Sequence, residues 1–415
     1  LYGFLSMQLG ISRHFNDGAS VTMQPALTLA GWIIAAPLLL VFSVLLLELV
    51  LGARRLRAEP SISEGVPPST AILMPAHDEA VGIAPVVQDA VGQLWPGARL
   101  VVIADNCSDE TASVARLNGS EVIERSDSTL RGKGYALAFG RDALQADPPD
   151  VVIILDADCY ADAGSLARLA HEAHTRQRPV QGLYLLRAGE DASPKVEISN
   201  FAFLVKNLIR QRASRRLGTP AILGGTGMAF PWSLYSRLNL ASSELVEDLV
   251  MGIDCLRAGH PPRYEETARI WSEAASEADT VKQRARWEQG FMATALRHGL
   301  PLVLSGLGDF RQLWMGLHLL VPPLALLIPA GVAGVVTLTL LGVLGGSAVP
   351  AVALGGLIAI TIGMILLVWA LEGRVVMPAR TLVSIPLYIL WKAGIYGRFF
   401  ARKGEKEWVR TRRSG

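Results

Sequence analysis

Asp156 and Asp158 stand one residue apart at the end of the stretch "VVIILDADCY", residues 151–160. In an extended segment, residues i and i+2 point to the same side, so the two carboxylates can converge on one cation. Held that close they repel unless a positive ion intervenes, and one would otherwise protonate. Hard carboxylate oxygens suit Mg2+ or Mn2+, ions that typically use one or two carboxylates together with substrate phosphates. The pair therefore reads as a holder for a metal–diphosphate. The plainer alternative is that Asp158 or Asp162 caps the following helix, "AGSLARLAHEA".

The segments around this pair must deliver it to a site. Residues 70–76, 99–105, 120–125 and 150–158 read as strands, and "IAPVVQDAVGQL" and "GYALAFGRDALQA" as helices between them. Such alternation predicts an open α/β sheet with mostly parallel strands. "VVIIL" lacks polar alternation, as expected of a central strand covered on both faces. Ligands in such sheets bind outside the carboxyl ends of the strands. The acidic clusters "HDE", "DNCSDE" and "DADC" follow the first, second and fourth strands, which puts all three on one rim. Any one cluster could be ordinary turn chemistry. Three together predict a site.

Composition narrows the function classes. The chain has 415 residues, of which 51% are hydrophobic and 18% charged. Soluble globular chains carry roughly a quarter charged residues. A formal net charge of +2 argues against a nucleic-acid binder. Cys107, Cys159 and Cys255 lie far apart and form no CxxC pair, so neither a disulfide framework nor a zinc site is indicated.

The excess hydrophobicity is local. Residues 26–47 carry no charge and suffice to cross a bilayer, which takes about 20 residues. The run is too long for a signal peptide, and its basic cluster (Arg54, Arg55, Arg57) follows it. From Leu313 to Leu371 there is again no Asp, Glu, Lys or Arg, which leaves room for two crossings with a break at "GGSAVP".

The positive-inside rule then predicts an external N-terminus and a cytoplasmic region from residue 58 onward. The expected organisation is a short external segment and anchor over 1–58 (span about 26–51), then a cytoplasmic α/β domain over 59–300. Residues 301–415 would hold spans at about 320–343 and 351–371, an interfacial helix at about 381–400 and a basic cytoplasmic tail. In that interfacial helix Tyr388, Trp391 and Tyr396 are expected at headgroup depth. Residues 195–218, with Phe201, Leu204, Val205 and Leu208 at helical spacing among basic residues, predict an amphipathic helix on the membrane surface.

Taken in order, these motifs resemble the family 2 inverting glycosyltransferases in their membrane-integrated branch, which includes cellulose, chitin and hyaluronan synthases and ceramide glucosyltransferase. The resemblance covers roughly residues 68–295. "MPAHDE" resembles the opening strand motif, "DNCSDET" the nucleotide-binding aspartate motif, and "GKGYAL" the lysine loop that follows. "DAD" matches the DxD metal motif, "GGTGMAF" resembles the acceptor-side glycine loop containing Gly225, "VEDL" matches the catalytic acid pair, and "QRARW" matches QxxRW.

The resemblance implies a GT-A type, Rossmann-like fold and a set of roles. Glu79 and Asp105 would contact the uridine end of a UDP-sugar, and Lys133 would lie beside the nucleotide. Asp156 and Asp158 would bind the diphosphate and its Mg2+ or Mn2+. Asp248, after Glu247, would be the general base, and Gln283, Arg286 and Trp287 would line the diphosphate and acceptor sites. The sequence departs from the family at Asp78, where Asn is frequent, and at Val246, where Thr is frequent.

The chemistry is coherent by itself. A UDP leaving group must be neutralised, and an acceptor hydroxyl must lose its proton to a base within hydrogen-bond reach. The expectation is a membrane-embedded inverting hexosyltransferase. It would use a UDP-sugar donor and a lipid-linked or glycan acceptor in contact with membrane lipids, in bacterial exopolysaccharide or glycolipid synthesis. The alternatives are a processive β-glycan synthase and, from another class, a transporter with a nucleotide-sensing domain. The latter is disfavoured because the 313–371 run lacks the acids and bases that ion pathways use.

Overall fold

The structure, a computed structural model, describes residues 2–57, 67–187, 189, 192–242, 246–273 and 277–400. The basic tail from residue 401 onward lies outside the described residues.

Alternating burial builds the central sheet. Ile72, Met74, Val151 and Ile153 pack into one apolar layer, and Ala71, Leu73, Val152 and Ile154 into a second on the opposite face. Each strand therefore needs apolar side chains at every position, which gives "AILM" and "VVII" their unbroken character. The strands are β1 (Thr70–Ala76), β2 (Ala98–Asp105), β3 (Glu121–Arg125), β4 (Val151–Ile154), β5 (Cys159–Ala161), β6 (Val180–Arg187), β7 (Met228–Pro231) and β8 (Arg263–Glu273).

Their order is β3-β2-β1-β4-β7-β6-β8-β5. The β3–β2–β1–β4 half is parallel throughout, with Thr70 opposite both Ala98 and Val151. The other half is mixed: β6–β8 is parallel, while β4–β7, β6–β7 and β5–β8 are antiparallel.

The helices are α1 (Tyr2–Gly52), α2 (Ile83–Gly92), α3 (Thr111–Leu117), α4 (Lys133–Leu144), α5 (Ser165–Arg176), α6 (Pro194–Leu204), α7 (Gln211–Leu217), α8 (Trp232–Tyr235), α9 (Glu247–Arg257), α10 (Glu277–Ser305), α11 (Phe310–Leu320), α12 (Leu324–Val343), α13 (Val349–Val368) and α14 (Ile385–Phe400). Residues of α2, α3 and α5 cover one face of the sheet. Residues of α4, α8 and α9 cover the other.

The chain forms two compact units. The first comprises Leu1–Leu47 and Val321–Leu367. Its helices approach closely at small residues: a Cβ on Gly331 would meet Phe42 at 2.7 Å. The second unit comprises Glu48–Leu320 and Val368–Gly415 and contains the sheet. Among the described residues, three segments are long and apolar enough to cross a membrane: Gln24–Gly52, Leu324–Val343 and Val349–Gly373.

Three local expectations change. The strand that was expected to run to Asp158 stops at Ile154, so Asp156 and Asp158 sit in the turn leading to β5, closed by a bond from the Cys159 N–H to the Asp156 carbonyl at 3.0 Å.

Residues 195–218 are helical as expected, but they are not a surface helix. Val196 through Phe201 and Asn207 through Ser214 are buried, basic positions included. Arg212 is enclosed by Glu266 and Glu372, and Arg210 by Glu48 and the His318 carbonyl. The acids that neutralise this polar stripe come from distant segments, so spacing within the helix could not reveal the burial.

In α14, Tyr388 and Tyr396 face inward, and Lys392 and Tyr396 bind Glu288 of α10 at 2.8 and 3.0 Å. The large apolar side chains exposed there among the described residues are Leu387 and Leu390, with Val383 just before the helix.

Candidate active site

Sharp turns end the first two strands. Asp78 and Asn106 both adopt a φ of 53°, a left-handed conformation that Asp and Asn tolerate better than most residues. Beyond these turns and the carboxyl end of β4 opens a cavity of about 990 Å3. Glu79, Asp105, Lys133, Asp156, Asp158, Gly225, Glu247, Asp248, Gln283, Arg286 and Trp287 all line it. The residues to which the family resemblance gave a role thus reach one space, from segments as far apart in sequence as the end of β1 and α10.

Lys133 opens α4 and joins two parts of the site. Its ammonium donates to the Asp156 carboxylate and, at 2.6 Å, to the Gly225 carbonyl. Burial alone would pull its pKa down. The carboxylates of Asp156 and Glu247 outweigh that and hold it above the ordinary lysine value.

The loop before Lys133 is fixed by its own hydrogen bonds. The Asp127 carboxylate accepts the backbone N–H groups of Thr129 and Leu130, both at 2.9 Å. These bonds, that from Leu130 foremost, lower its pKa to about 2. Arg125 donates to the Leu130 carbonyl and to Asp105, each at 2.6 Å.

Gly225 requires its residue type. Its φ is +86°, and a Cβ there would lie 3.4 Å from Asp248 Oδ2 and 3.6 Å from Lys133 Nζ. Glycine lets the chain pass between the base candidate and the lysine.

Glu247 and Asp248 form the first turn of α9, where the helix dipole favours negative charge. Burial, and then the neighbouring Asp248, push Glu247 up to about 7. Burial also raises Asp248, against the pull of Lys206 and Lys133. A carboxyl that titrates near neutrality can exchange a proton with a hydroxyl at working pH.

The ligand atoms of Asp156, Asp158 and Cys159 lie within 4.8 Å of one another. Burial pushes the Cys159 thiol well above its ordinary pKa, and it donates to Asp158 at 3.2 Å. The two carboxylates are therefore the available donors, and hard oxygens at this spacing fit Mg2+ or Mn2+. Asp78, Cys107 and Asp109 are equally close together but do not line the cavity.

Gln283, Arg286 and Trp287 occupy one face of α10, as i, i+3 and i+4 spacing dictates. Trp287 packs near Phe203 with ring centroids 5.9 Å apart, and Phe203 meets Tyr184 edge-on at 5.1 Å. Trp287 is thus part of an aromatic wall of the cavity.

Sequence reasoning missed four contributors. Arg125 binds Asp105, the expected uridine contact, and both side chains are about nine-tenths buried. Lys206 and Asn207 line the cavity from the π-helical segment Val205–Arg210, and Tyr184 does so from β6. Arg125 carried a weak signal, a cation at the end of the strand paired with β2. The other three had none, since a π-turn and an antiparallel return leave no simple period.

The chain is similar to known proteins. The family model described as glycosyltransferase like family 2 matches residues 67–290, more than half of the chain. The uncharacterized glycosyltransferase Rv0539 of Mycobacterium tuberculosis is 35% identical over 95 residues, 21% of this chain and 41% of that protein. The low-salt glycan biosynthesis hexosyltransferase Agl6 of Haloferax volcanii is 30% identical over 117 residues, 26% of this chain and 25% of that protein. The chain thus matches less than half the length of either relative.

The mannosyltransferase PcManGT from Pyrobaculum calidifontis, solved with GDP-Man and Mn2+, superposes with a TM-score of 0.56 at 18% identity, over 90% of this chain and 100% of that one. The fold is GT-A-like, a mostly parallel sheet flanked by helices. By its family match over residues 67–290, the chain belongs to the glycosyltransferase-like family 2.

Proposed function

We propose that this glycosyltransferase is an inverting hexosyltransferase of the membrane-integrated branch, moving a sugar from a UDP-sugar to a lipid-linked or glycan acceptor in bacterial exopolysaccharide or glycolipid synthesis. The observation that carries the reading is the convergence of the Asp156/Asp158 pair, Lys133 and Asp248 on one cavity. Asp156 and Asp158 would hold Mg2+ or Mn2+, which supplies Lewis-acid neutralisation of a diphosphate leaving group. Arg286 adds a positive contact to the diphosphate, and Glu79 and Asp105 face the nucleoside. Asp248 accepts the proton of the acceptor hydroxyl, and a single displacement with one base inverts the anomeric centre. Gln283 and Trp287 bound the acceptor side, together with the Gly225 turn.

The domain assignment follows the same reading: an anchor at about 26–51, the catalytic domain over 59–300, and spans at about 320–343 and 351–371. The basic residues Arg54, Arg55 and Arg57 favour a cytoplasmic catalytic domain at the inner membrane. Exposed Val383, Leu387 and Leu390, and exposed Leu296, Leu300 and Leu304 on α10, offer apolar surface to lipid.

A processive synthase is the second reading, favoured by Gln283, Arg286 and Trp287 on the cavity wall. Against it, α12 and α13 offer few hydroxyl or amide groups to line a path for sugar hydroxyls, which are costly to bury unpaired. Single addition is preferred. The test is turnover by the purified chain with a panel of UDP- and GDP-sugars and a membrane lipid extract, followed by sizing of the product. A single-sugar product with UDP release is expected. A ladder of long glycans would select the processive reading, and no sugar-dependent nucleotide release would sink both.

A further inference from the structure

The helix that begins at α6 does not run straight into α7. Between them Val205–Arg210 is π-helical, a turn with one extra residue that redirects the side chains it carries. Such turns cost backbone regularity and cluster at functional sites. This one is held at its end by Arg210, which bonds buried Glu48 and, at 2.9 Å, the His318 carbonyl. Glu48 also meets His318 Nδ1 at 2.6 Å, so the anchor is ionic and fully enclosed.

What the turn presents to the cavity is a pair of adjacent donors, Lys206 and Asn207. Asn207 is 6% exposed, and its Nδ2 has no hydrogen-bond partner among the described residues. The Lys206 ammonium lies 5.6 Å from the centre of the Phe291 ring and makes no hydrogen bond or ion pair among the described residues. Asp248, Glu288 and Arg210 are the charged groups that face it. A ring face attracts a cation but gives its N–H groups no acceptor oxygen. Lys133, the other lysine of the cavity, is already committed to Asp156 and Gly225. Unpaired donors are costly to enclose, and buried polar groups in folded proteins nearly always have partners. Two such donors on adjacent residues that line the cavity, the amide buried and the ammonium part-exposed, call for an oxygen-rich anion.

We propose that Lys206 and Asn207 form an oxyanion subsite that binds a phosphate group of a substrate. Phe291 flanks the subsite, which supplies neutral and cationic donors where the Asp156/Asp158 pair supplies carboxylates. A phosphate ester on the acceptor and the diphosphate of the donor share this chemistry. Naming either source rests on the transferase reading proposed above; the subsite itself does not.

The test uses the purified full chain in neutral detergent, with calorimetric titration of two probes. One is UDP with Mg2+; the other is dodecyl phosphate added with UDP present, against dodecanol as the uncharged control. Lys206→Met and Asn207→Leu should each weaken at least one phosphate probe by about tenfold or more, the loss expected for a hydrogen bond to a charged group. Lys206→Arg should restore most of it. Loss confined to dodecyl phosphate assigns the subsite to the acceptor, and loss confined to UDP assigns it to the donor. Binding of both probes within twofold of the parent by both variants overturns the proposal. Should Lys206→Met fail to fold by circular dichroism, Asn207→Leu and Lys206→Arg carry the same comparison. Sugar turnover by the parent chain is measured in parallel. Its absence would remove the transferase reading while the phosphate titrations still report the subsite.

Discussion

Two acidic turns of this molecule carry the same kinds of ligand atom at the same spacing and differ in everything else. Asp78, Cys107 and Asp109 cluster within 4.8 Å, as do Asp156, Asp158 and Cys159. In the first set the oxygens are spent on the chain's own turns. Asp78 accepts the Ser108 N–H at 2.6 Å and its hydroxyl at 3.1 Å. Asp109 accepts the Thr111 N–H at 3.0 Å and the Ala80 N–H at 3.1 Å, and so ties the end of β1 to the start of α3. In the second set Asp156 meets a lysine and both carboxylates line the cavity. Residue type and close clustering are therefore shared by a turn that closes on its own loops and by one that lines the cavity.

The largest expected effect separates these turns. Chelation of divalent cations with EDTA should abolish sugar transfer, and Asp158→Ala should lose metal-dependent UDP binding. Asp109→Ala should keep both, measured as nucleotide affinity with and without Mn2+. Full transfer in EDTA would end the metal role of the second turn.

Next is Asp248→Asn, which should lower kcat by about 10²–10⁴-fold, the usual contribution of a general base, with UDP-sugar affinity retained. Near-normal turnover would move the base to Glu247.

A third effect is on stability. Glu247 has an ordinary value of 4.5 and is raised to about 7 in the folded chain. Between those values the folded state holds a proton that the unfolded state has released. The contribution of Glu247 to stability is therefore greatest below about 4.5 and falls as pH rises toward 7, by up to a few kcal/mol. Thermal unfolding without nucleotide should show that decline as a difference between the parent and Glu247→Gln, which lacks it. An unchanged slope in the variant would place the extra proton on another group.

The smallest effect belongs to the first turn. Asp109→Ala should cost about 1–2 kcal/mol through the hydrogen bonds it removes, read as a lower unfolding midpoint, with kcat within about twofold of the parent. A tenfold fall in kcat would mean that this turn also serves the cavity.

The amino-acid sequence by itself determined the parallel half of the sheet, the apolar segments and many of the residues that line the cavity. Each leaves a local record: an apolar run between turn residues, a span without charge, a carboxylate pair placed after a strand. "TAILMPA" and "DVVIILDAD" are legible because a strand covered on both faces must be apolar throughout. β6, β7 and β8 are not, because β7 has four residues and β8 is interrupted by a register shift against β6.

The tertiary structure alone decided how polar groups pair. Arg125 on Asp105, Glu48 between Arg210 and His318, and Arg212 between Glu266 and Glu372 join residues separated by tens to hundreds of positions. Those pairings turned an expected surface helix into a buried one and left Lys206 and Asn207 facing the cavity. The physical reason is that burial of a charge depends on where its counter-charge arrives, and that is a property of the folded chain, not of the neighbouring sequence.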